Sequence, residues 1–279
     1  MIKMFFSKMH GLGNDFIVYD NILSLSIDWN QLAKKCCDRH LGIGADGILI
    51  VEKSDVADIK MRIINSDGSN AEMCGNGIRC FAKYVYEKNI VNKENFNIET
   101  GAGIKNVKLD VKDNKVLSVK VDMGIPCFEK SKIPFNSDMD NKNYEIEINN
   151  KKYNLTTLLL GVPHTVVYVD EIDEKEVIEV GKIIENLEIF PKRTNVNFVQ
   201  IIDYNTIKVR TWERGAGMTL ACGTGTCASA VACYINNKTD KNVTAKLFAG
   251  DLKVYYEDDN IIMEGPAQFI CEGVYLNIL

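Results

Sequence analysis

The chain has 279 residues, 46% of them hydrophobic and 25% charged, with a formal net charge of −5. That is the composition of a globular protein rather than a disordered one, and an acidic balance without any Lys/Arg-rich block argues against a nucleic-acid partner. No apolar run approaches the roughly 18 residues of a membrane span, and Met1-Ile2-Lys3-Met4-Phe5-Phe6-Ser7-Lys8 enters a strand-like pattern without a signal-peptide core, so the expected location is the cytoplasm.

In chain order, Phe16–Tyr19 reads as a strand, Asn30–Cys37 as a helix, and Gly47–Val51 and Ile59–Ile64 as strands. A glycine-rich turn follows, Glu72-Met73-Cys74-Gly75-Asn76-Gly77, which opens a helix beginning Ile78-Arg79-Cys80. Asn106–Val111 and Val116–Met123 alternate with period two and read as a hairpin turned at Lys112-Asp113-Asn114-Lys115. The segment Phe128–Lys152 is polar and reads as a linker with an excursion, which places a domain boundary near Pro126.

The same succession then returns. Val166–Val169 is a strand, Glu174–Asn186 a helix, and Asn197–Ile202 and Ile207–Trp212 strands. A second cysteine turn, Leu220-Ala221-Cys222-Gly223-Thr224-Gly225, opens a helix whose Ala228–Ile235 stretch is apolar nearly all round, as a helix enclosed by strands should be. Ala245–Tyr256 and Asn260–Glu264 form the second hairpin, turned at Glu257-Asp258-Asp259.

Cys222 lies 148 positions after Cys74, and that offset also pairs Gly13 with Gly161, Ile59-Lys60 with Ile207-Lys208, Arg62 with Arg210, Gly77 with Gly225 and Ala82 with Ala230. A period this long excludes a solenoid. The expected fold class is α+β: two pseudo-symmetric domains, each a mostly antiparallel, barrel-like sheet around a central helix. The domains are read as 1–125 and 126–267, with a last strand over 268–279 returning to the first.

Nine cysteines form no disulfide framework, and with no CxxC and three histidines they form no zinc pattern, so no metal is expected. Cys80, Cys227 and Cys233 read as small core residues. Cys74 and Cys222 are different, because each stands where a helix begins. Inverting an amino-acid α-carbon needs one group to take the proton and another to deliver one to the opposite face. A thiol at a helix start is acidified there, and the first backbone N–H groups can hold an α-carboxylate and the charge that develops on it. Gly223-Thr224-Gly225-Thr226-Cys227-Ala228 also fits the loose dinucleotide pattern GxGxxA, but lacks a surrounding βαβ unit and a following acidic residue.

Three blocks resemble the signatures of the diaminopimelate epimerase family: Lys8-Met9-His10-Gly11-Leu12-Gly13-Asn14-Asp15-Phe16, Asn65 through Gly77, and Glu213-Arg214-Gly215-Ala216-Gly217 leading to Cys222-Gly223-Thr224-Gly225. The resemblance covers essentially the whole chain. It implies conversion of LL- to meso-diaminopimelate for lysine and cell-wall synthesis, without pyridoxal phosphate or any other cofactor, by a cytoplasmic homodimer with its site in a cleft between the domains. It implies that Cys74 and Cys222 are the acid–base pair, supported by His164 and Glu213. Asn14, Asn65, Gly75, Asn76, Asn195, Glu213, Arg214, Gly223 and Thr224 would bind substrate, with Arg214 on the distal carboxylate and Glu213 on the distal ammonium. Gly47 and Val162 stand where many relatives have glutamine and asparagine, Met218 replaces a common glutamate, and Cys271 replaces a tyrosine that contributes to dimer contacts in some relatives. The residues by themselves also admit a racemase of histidine or proline on the same fold, a non-catalytic amino-acid-binding protein, and a redox-sensing thiol pair.

Overall fold

A computed structural model describes residues 4–276, so Met1–Lys3 of the expected first strand and Asn277–Leu279 of the expected last one lie outside the described residues. The chain divides into two compact units, one running to Val121 and including Glu264 onward, the other Asp122–Met263. In chain order the elements are β1 (Met4–Gly11), β2 (Asn14–Asp20), α1 (Trp29–Cys36), β3 (Gly47–Glu52), β4 (Ile59–Asn65), β5 (Asn70–Ala71), α2 (Gly75–Glu87), β6 (Asn95–Thr100), β7 (Gly103–Lys112) and β8 (Lys115–Gly124), whose last three residues open the second unit. There follow β9 (Tyr144–Ile148), β10 (Lys151–Leu160), β11 (Val162–Val169), α3 (Glu174–Glu185), β12 (Asn195–Asp203), β13 (Thr206–Glu213), β14 (Gly217–Thr219), α4 (Gly223–Ile235), β15 (Asn242–Lys246), β16 (Asp251–Glu257), β17 (Asn260–Gly265) and β18 (Gln268–Tyr275). Among the described residues no helix is long and apolar enough to cross a membrane.

In the first unit the strands run β18-β1-β2-β3-β4-β6-β7-β8, antiparallel except at β2–β3 and β4–β6. In the second they run β9-β10-β11-β12-β13-β15-β16, antiparallel except at β11–β12 and β13–β15. Parallel neighbours need a long crossover, and here each crossover carries a helix. The ladders repeat at the offset seen in the sequence: Phe16 faces Gly47 as His164 faces Asn195, and Ile63 faces Ala71 as Thr211 faces Thr219.

The helix after each cysteine is the centre of its unit. α2 packs against β1, β2, β3, β4 and β7, and α4 against β10, β11, β12, β13, β15 and β16. The outer helices α1 and α3 cover the other face, so β2 and β3 are buried on both sides and read as continuous apolar runs. Ile17, Tyr19, Ile48 and Ile50 pack with α1, while the alternate residues Phe16 and Leu49 meet α2 at Gly77. Cys80, Cys227 and Cys233 are fully buried, and burial pushes the Cys80 and Cys233 thiols up to about 12.

Four tight turns join neighbouring strands through two residues at positive φ: Leu12–Gly13 (56° and 89°), Asp113–Asn114 (51° and 58°), Asn149–Asn150 (54° and 61°) and Asp258–Asp259 (48° and 63°). That geometry matches the twist of paired strands and favours Asn, Asp and Gly.

Three expectations need correction. The stretch 128–152 is more than a linker, because Ile133, Phe135, Tyr144 and Ile148 enter the core of the second unit and β9 pairs with β10. Its polar majority hides four apolar anchors. The strand expected over 245–256 is two, broken at Leu247–Gly250, where Leu247 N–H closes a turn onto the Gly250 carbonyl. The helix after the GxGxxA match does lie in a parallel crossover, since β13 pairs with β15; what remains against a dinucleotide is the missing acidic residue and a cysteine in the capping position.

Candidate active site

Cys74 is extended (φ −141°, ψ 120°) and caps α2, its Sγ accepting the Gly77 N–H at 3.4 Å. A thiol thus occupies the place usually held by a Ser or Asp side chain. It donates in turn to Asn14 Oδ1 at 3.5 Å. That same oxygen accepts from Asn76 Nδ2 at 3.2 Å, and Asn14 Nδ2 donates to Asp46 Oδ2 at 2.6 Å. Arg39 bridges Asp46 and Asp15, at 2.8 Å to each, and Lys8 pairs with Asp15 at 2.8 Å and also meets the Gly44 carbonyl. Burial works against an ionised Asp15, but Arg39 and Lys8 outweigh it and hold its carboxyl down at about 2.

Arg79 is fully buried on α2. It donates to the carbonyls of Gly75 (2.9 Å) and Pro266 (3.2 Å) and to Asn76 Oδ1 (3.0 Å), fixing the first turn of the helix. Asn65 closes the turn after β4, its Nδ2 on Ser69 Oγ at 3.0 Å.

Cys222 repeats the cap on α4, with φ −115°, ψ 109° and the Gly225 N–H at 3.4 Å from Sγ. Thr224 Oγ1 lies 3.6 Å from the same sulfur. The surroundings differ from those of the first cysteine. Glu213, which corresponds to Asn65 in the repeat, hydrogen-bonds Cys222, and its Oε1 accepts from Thr219 Oγ1 at 2.6 Å. Burial raises the Glu213 carboxyl above the usual carboxylate range, against the pull of those two hydrogen bonds.

His164 corresponds to Phe16 and Asn197 to Leu49, so an apolar pair under the first turn is a polar pair under the second. Asn197 Nδ2 donates to His164 Nδ1 at 3.3 Å, and Asn197 Oδ1 accepts from Thr211 Oγ1 at 3.0 Å. That Asn197 oxygen also lies against Gly225, where any side chain would collide with it. His164 is fully buried, and burial, then the Arg214 charge, holds it down at about 3, so the ring is neutral at neutral pH. With Nδ1 accepting, the proton sits on Nε2, which has no hydrogen-bond partner among the described residues.

The loop after β13 carries Arg214. Asn195 Oδ1 accepts the Arg214 backbone N–H at 2.9 Å, and the Arg214 guanidinium donates to the Lys192 carbonyl at 2.9 Å. No carboxylate among the described residues pairs with it. Glu185, buried at the end of α3, accepts from Trp212 Nε1 (2.7 Å), Gly215 N–H (3.2 Å) and Arg193 (3.3 Å), tying that loop to the helix.

The structure therefore gathers Asn14, Cys74, Gly75 and Asn76 at one helix start, with Asn65 in the neighbouring turn. It gathers Glu213, Cys222, Gly223 and Thr224 at the other, with His164 linked through Asn197 and Asn195 holding Arg214. Sequence reading missed Arg39, Asp46, Asn197, Thr219 and Glu185. Asn197 alone had a signal, since the offset that pairs the cysteines sets an asparagine opposite the core residue Leu49. Among the described residues no group of three or more His, Cys, Asp or Glu is placed to hold a metal ion.

Comparison with known proteins narrows the class. The diaminopimelate epimerase family model matches residues 6–128 and 156–270. A diaminopimelate epimerase of Alkaliphilus metalliredigens is 51% identical over 281 residues, covering 98% of both chains. One from Clostridium perfringens is 51% identical, covering 98% of this chain and 100% of its own. Among solved structures, a hydroxyproline epimerase from Agrobacterium vitis aligns with a TM-score of 0.72 at 13% identity, over 99% of this chain and 93% of that one. A PhzF-family phenazine biosynthesis protein of Bacillus anthracis aligns at 0.68 and 16% identity, over 99% of this chain and 100% of that one. The structural likeness establishes the class by fold, a sheet-dominated, two-domain architecture shared with an amino-acid epimerase. The family is narrower: this chain belongs to the diaminopimelate epimerase family and is an isomerase.

Proposed function

We propose that this isomerase interconverts LL- and meso-2,6-diaminopimelate, a step in lysine and cell-wall precursor synthesis, with Cys74 and Cys222 as its acid–base pair and without pyridoxal phosphate. The observation that carries the reading is the repeated cap: one thiol per unit, each holding the N–H of the third helical residue at 3.4 Å. In either direction one sulfur takes the α-proton as thiolate and the other delivers its own as thiol. By helix geometry the N–H groups of Gly75, Asn76, Gly223 and Thr224 lie outside intrahelical bonding, and they suit an α-carboxylate and the charge it gains as the proton leaves.

Arg214, without a carboxylate partner among the described residues, suits the distal carboxylate. Asn195, which holds the Arg214 backbone N–H, belongs to the same set, and Asn65 is its proposed counterpart in the first unit. Glu213 is committed to Cys222 and Thr219, which makes it a partner of the second thiol more than a receptor for the distal ammonium. A proline-like substrate would leave Arg214 unanswered. The same reading includes a cytoplasmic homodimer, and light scattering of the eluting protein tests that assembly.

The deciding experiment is α-proton exchange in D₂O followed by NMR, offering LL-diaminopimelate, meso-diaminopimelate, L-histidine and L-proline separately to reduced protein. Exchange and interconversion confined to diaminopimelate are expected. Turnover of histidine or proline in its place would overturn the substrate, and no exchange by folded protein would overturn the reaction.

A further inference from the structure

We propose that Asp46 is a positioning residue for Cys74, acting through the side-chain amide of Asn14. The inference rests on the assignment of Cys74 as an acid–base group. An amide has a donor end and an acceptor end, and an ionised carboxylate only accepts. Asp46 Oδ2, 2.6 Å from Asn14 Nδ2, therefore fixes which end faces it and leaves Oδ1 turned to the thiol, 3.5 Å away. A second lock agrees with the first. Arg79 donates to Asn76 Oδ1 at 3.0 Å, so the Asn76 NH₂ is the end that reaches Asn14 Oδ1, at 3.2 Å.

Asp46 is itself held. Arg39 grips its Oδ1 at 2.8 Å, the Asp15 N–H donates to its Oδ2 at 3.1 Å, and its own N–H donates to Asp15 Oδ1 at 3.1 Å. The charged or titratable groups around the contact include Lys8 and His10 on β1, Asp15 on β2, Cys37 at the end of α1, Arg39 and Asp46 between α1 and β3, and Arg79 and Cys80 on α2. The device belongs to the first unit alone, because the repeat places Val162, which has no amide, where Asn14 stands.

An oriented carbonyl accepts the S–H of the neutral thiol and so favours the protonated form of Cys74. Were the amide turned, its NH₂ would favour the thiolate. Asp46 thereby sets the direction of the thiol proton at rest, and the neighbouring amide needs no reorientation when the sulfur acts as acid.

The test follows alkylation of Cys74 by iodoacetamide against pH, read on its own peptide by mass spectrometry, without substrate. Asp46→Asn is expected to move the Cys74 midpoint down by about one pH unit and to lower kcat at least about tenfold with little change in KM. In an Asn14→Ala background the same substitution is expected to move the midpoint no further. A shift of equal size in that background would mean that Asp46 acts directly by its charge and would overturn the proposal. An unchanged midpoint in Asp46→Asn, or in Asn14→Ala alone, would overturn it too. Should Asp46→Asn fail to fold, Asp46→Ala enters the same cycle, and Asn14→Ala still decides. Because alkylation needs no substrate, a wrong diaminopimelate assignment fails in the exchange experiment and leaves this result standing.

Discussion

Gly77 and Gly225 hold matched places one turn into their helices, yet their neighbours make them unequal. A Cβ at 77 would sit 3.3 Å from Leu49 Cδ2 and 3.4 Å from Phe16 Cζ, which methyl and ring can accommodate. At 225 it would run into the Asn197 amide oxygen and come within 3.2 Å of Cys222 Sγ. Gly225→Ala should therefore cost ~1–3 kcal/mol and displace the second thiol, and Gly77→Ala should cost under about 1 kcal/mol; urea titration and exchange rates of the two variants check this. His164 gives a pH signature with a definite sign. Its pKa falls from 6.5 to about 3 on folding, so the unfolded chain binds a proton that the native protein refuses. The stability this neutral ring carries is present above pH 6.5 and is lost as pH falls toward 3, at up to about 1.4 kcal/mol per pH unit. Denaturation curves between pH 7 and 4 should show that slope, and His164→Gln should remove it. Asp15 acts lower, adding stability that disappears only between its ordinary 3.8 and about 2.

At the scale of elements, the loop after β13 depends on α3, a helix capped by Asp173 rather than by a cysteine. The Glu185 carboxylate at the end of α3 takes two N–H donors from that segment, Trp212 Nε1 and Gly215 N. Glu185→Gln would set an NH₂ against one of them. It should raise KM about tenfold with kcat largely kept, since Arg214 loses its seating while the thiols keep theirs. Steady-state kinetics separate the two effects. The hairpin turns make a simpler case: Asn150 sits at φ 61°, so Asn150→Val should lose about 1–2 kcal/mol, seen as a lower Tm without change in kcat. The hairpin turns at Asp113–Asn114 and Asp258–Asp259 and both cysteine-opened helices were legible in the sequence because their signals are local, whereas the turn at Asn149–Asn150 was hidden in a stretch that reads as a linker. The break at Leu247–Gly250 and the anchors Ile133 and Phe135 were not, since apolar content there is sparse and its partners lie far along the chain. The salt-bridge relay behind Asn14 was invisible for the same reason. Lys8, Asp15, Arg39 and Asp46 look like ordinary surface charges until β1, β2 and the segment before β3 bring them together.

At the scale of the whole molecule, the repeat kept its ladders and its capping cysteines and changed what surrounds each sulfur. One has an amide held by Asp46, the other a carboxyl held by Thr219. Two thiols in unlike settings cannot substitute for each other. Cys74→Ala and Cys222→Ala should each lower epimerisation by at least about 100-fold while circular dichroism stays unchanged; substantial turnover by either would overturn the two-base reading. The strand β18 has a further consequence, which concerns synthesis. It pairs with β1 across nearly the full chain, Ser7 Oγ meeting Glu272 at 2.9 Å, whereas Asp122–Met263 is a continuous segment. On the ribosome, the part made first is therefore finished last. The middle of the nascent chain can complete its own core while β1 waits with an unpaired edge, the kind of edge on which unfinished chains stick to one another. A chain released before β18 is made would be half native and half adhesive, so this one late strand decides whether the edge of β1 is covered.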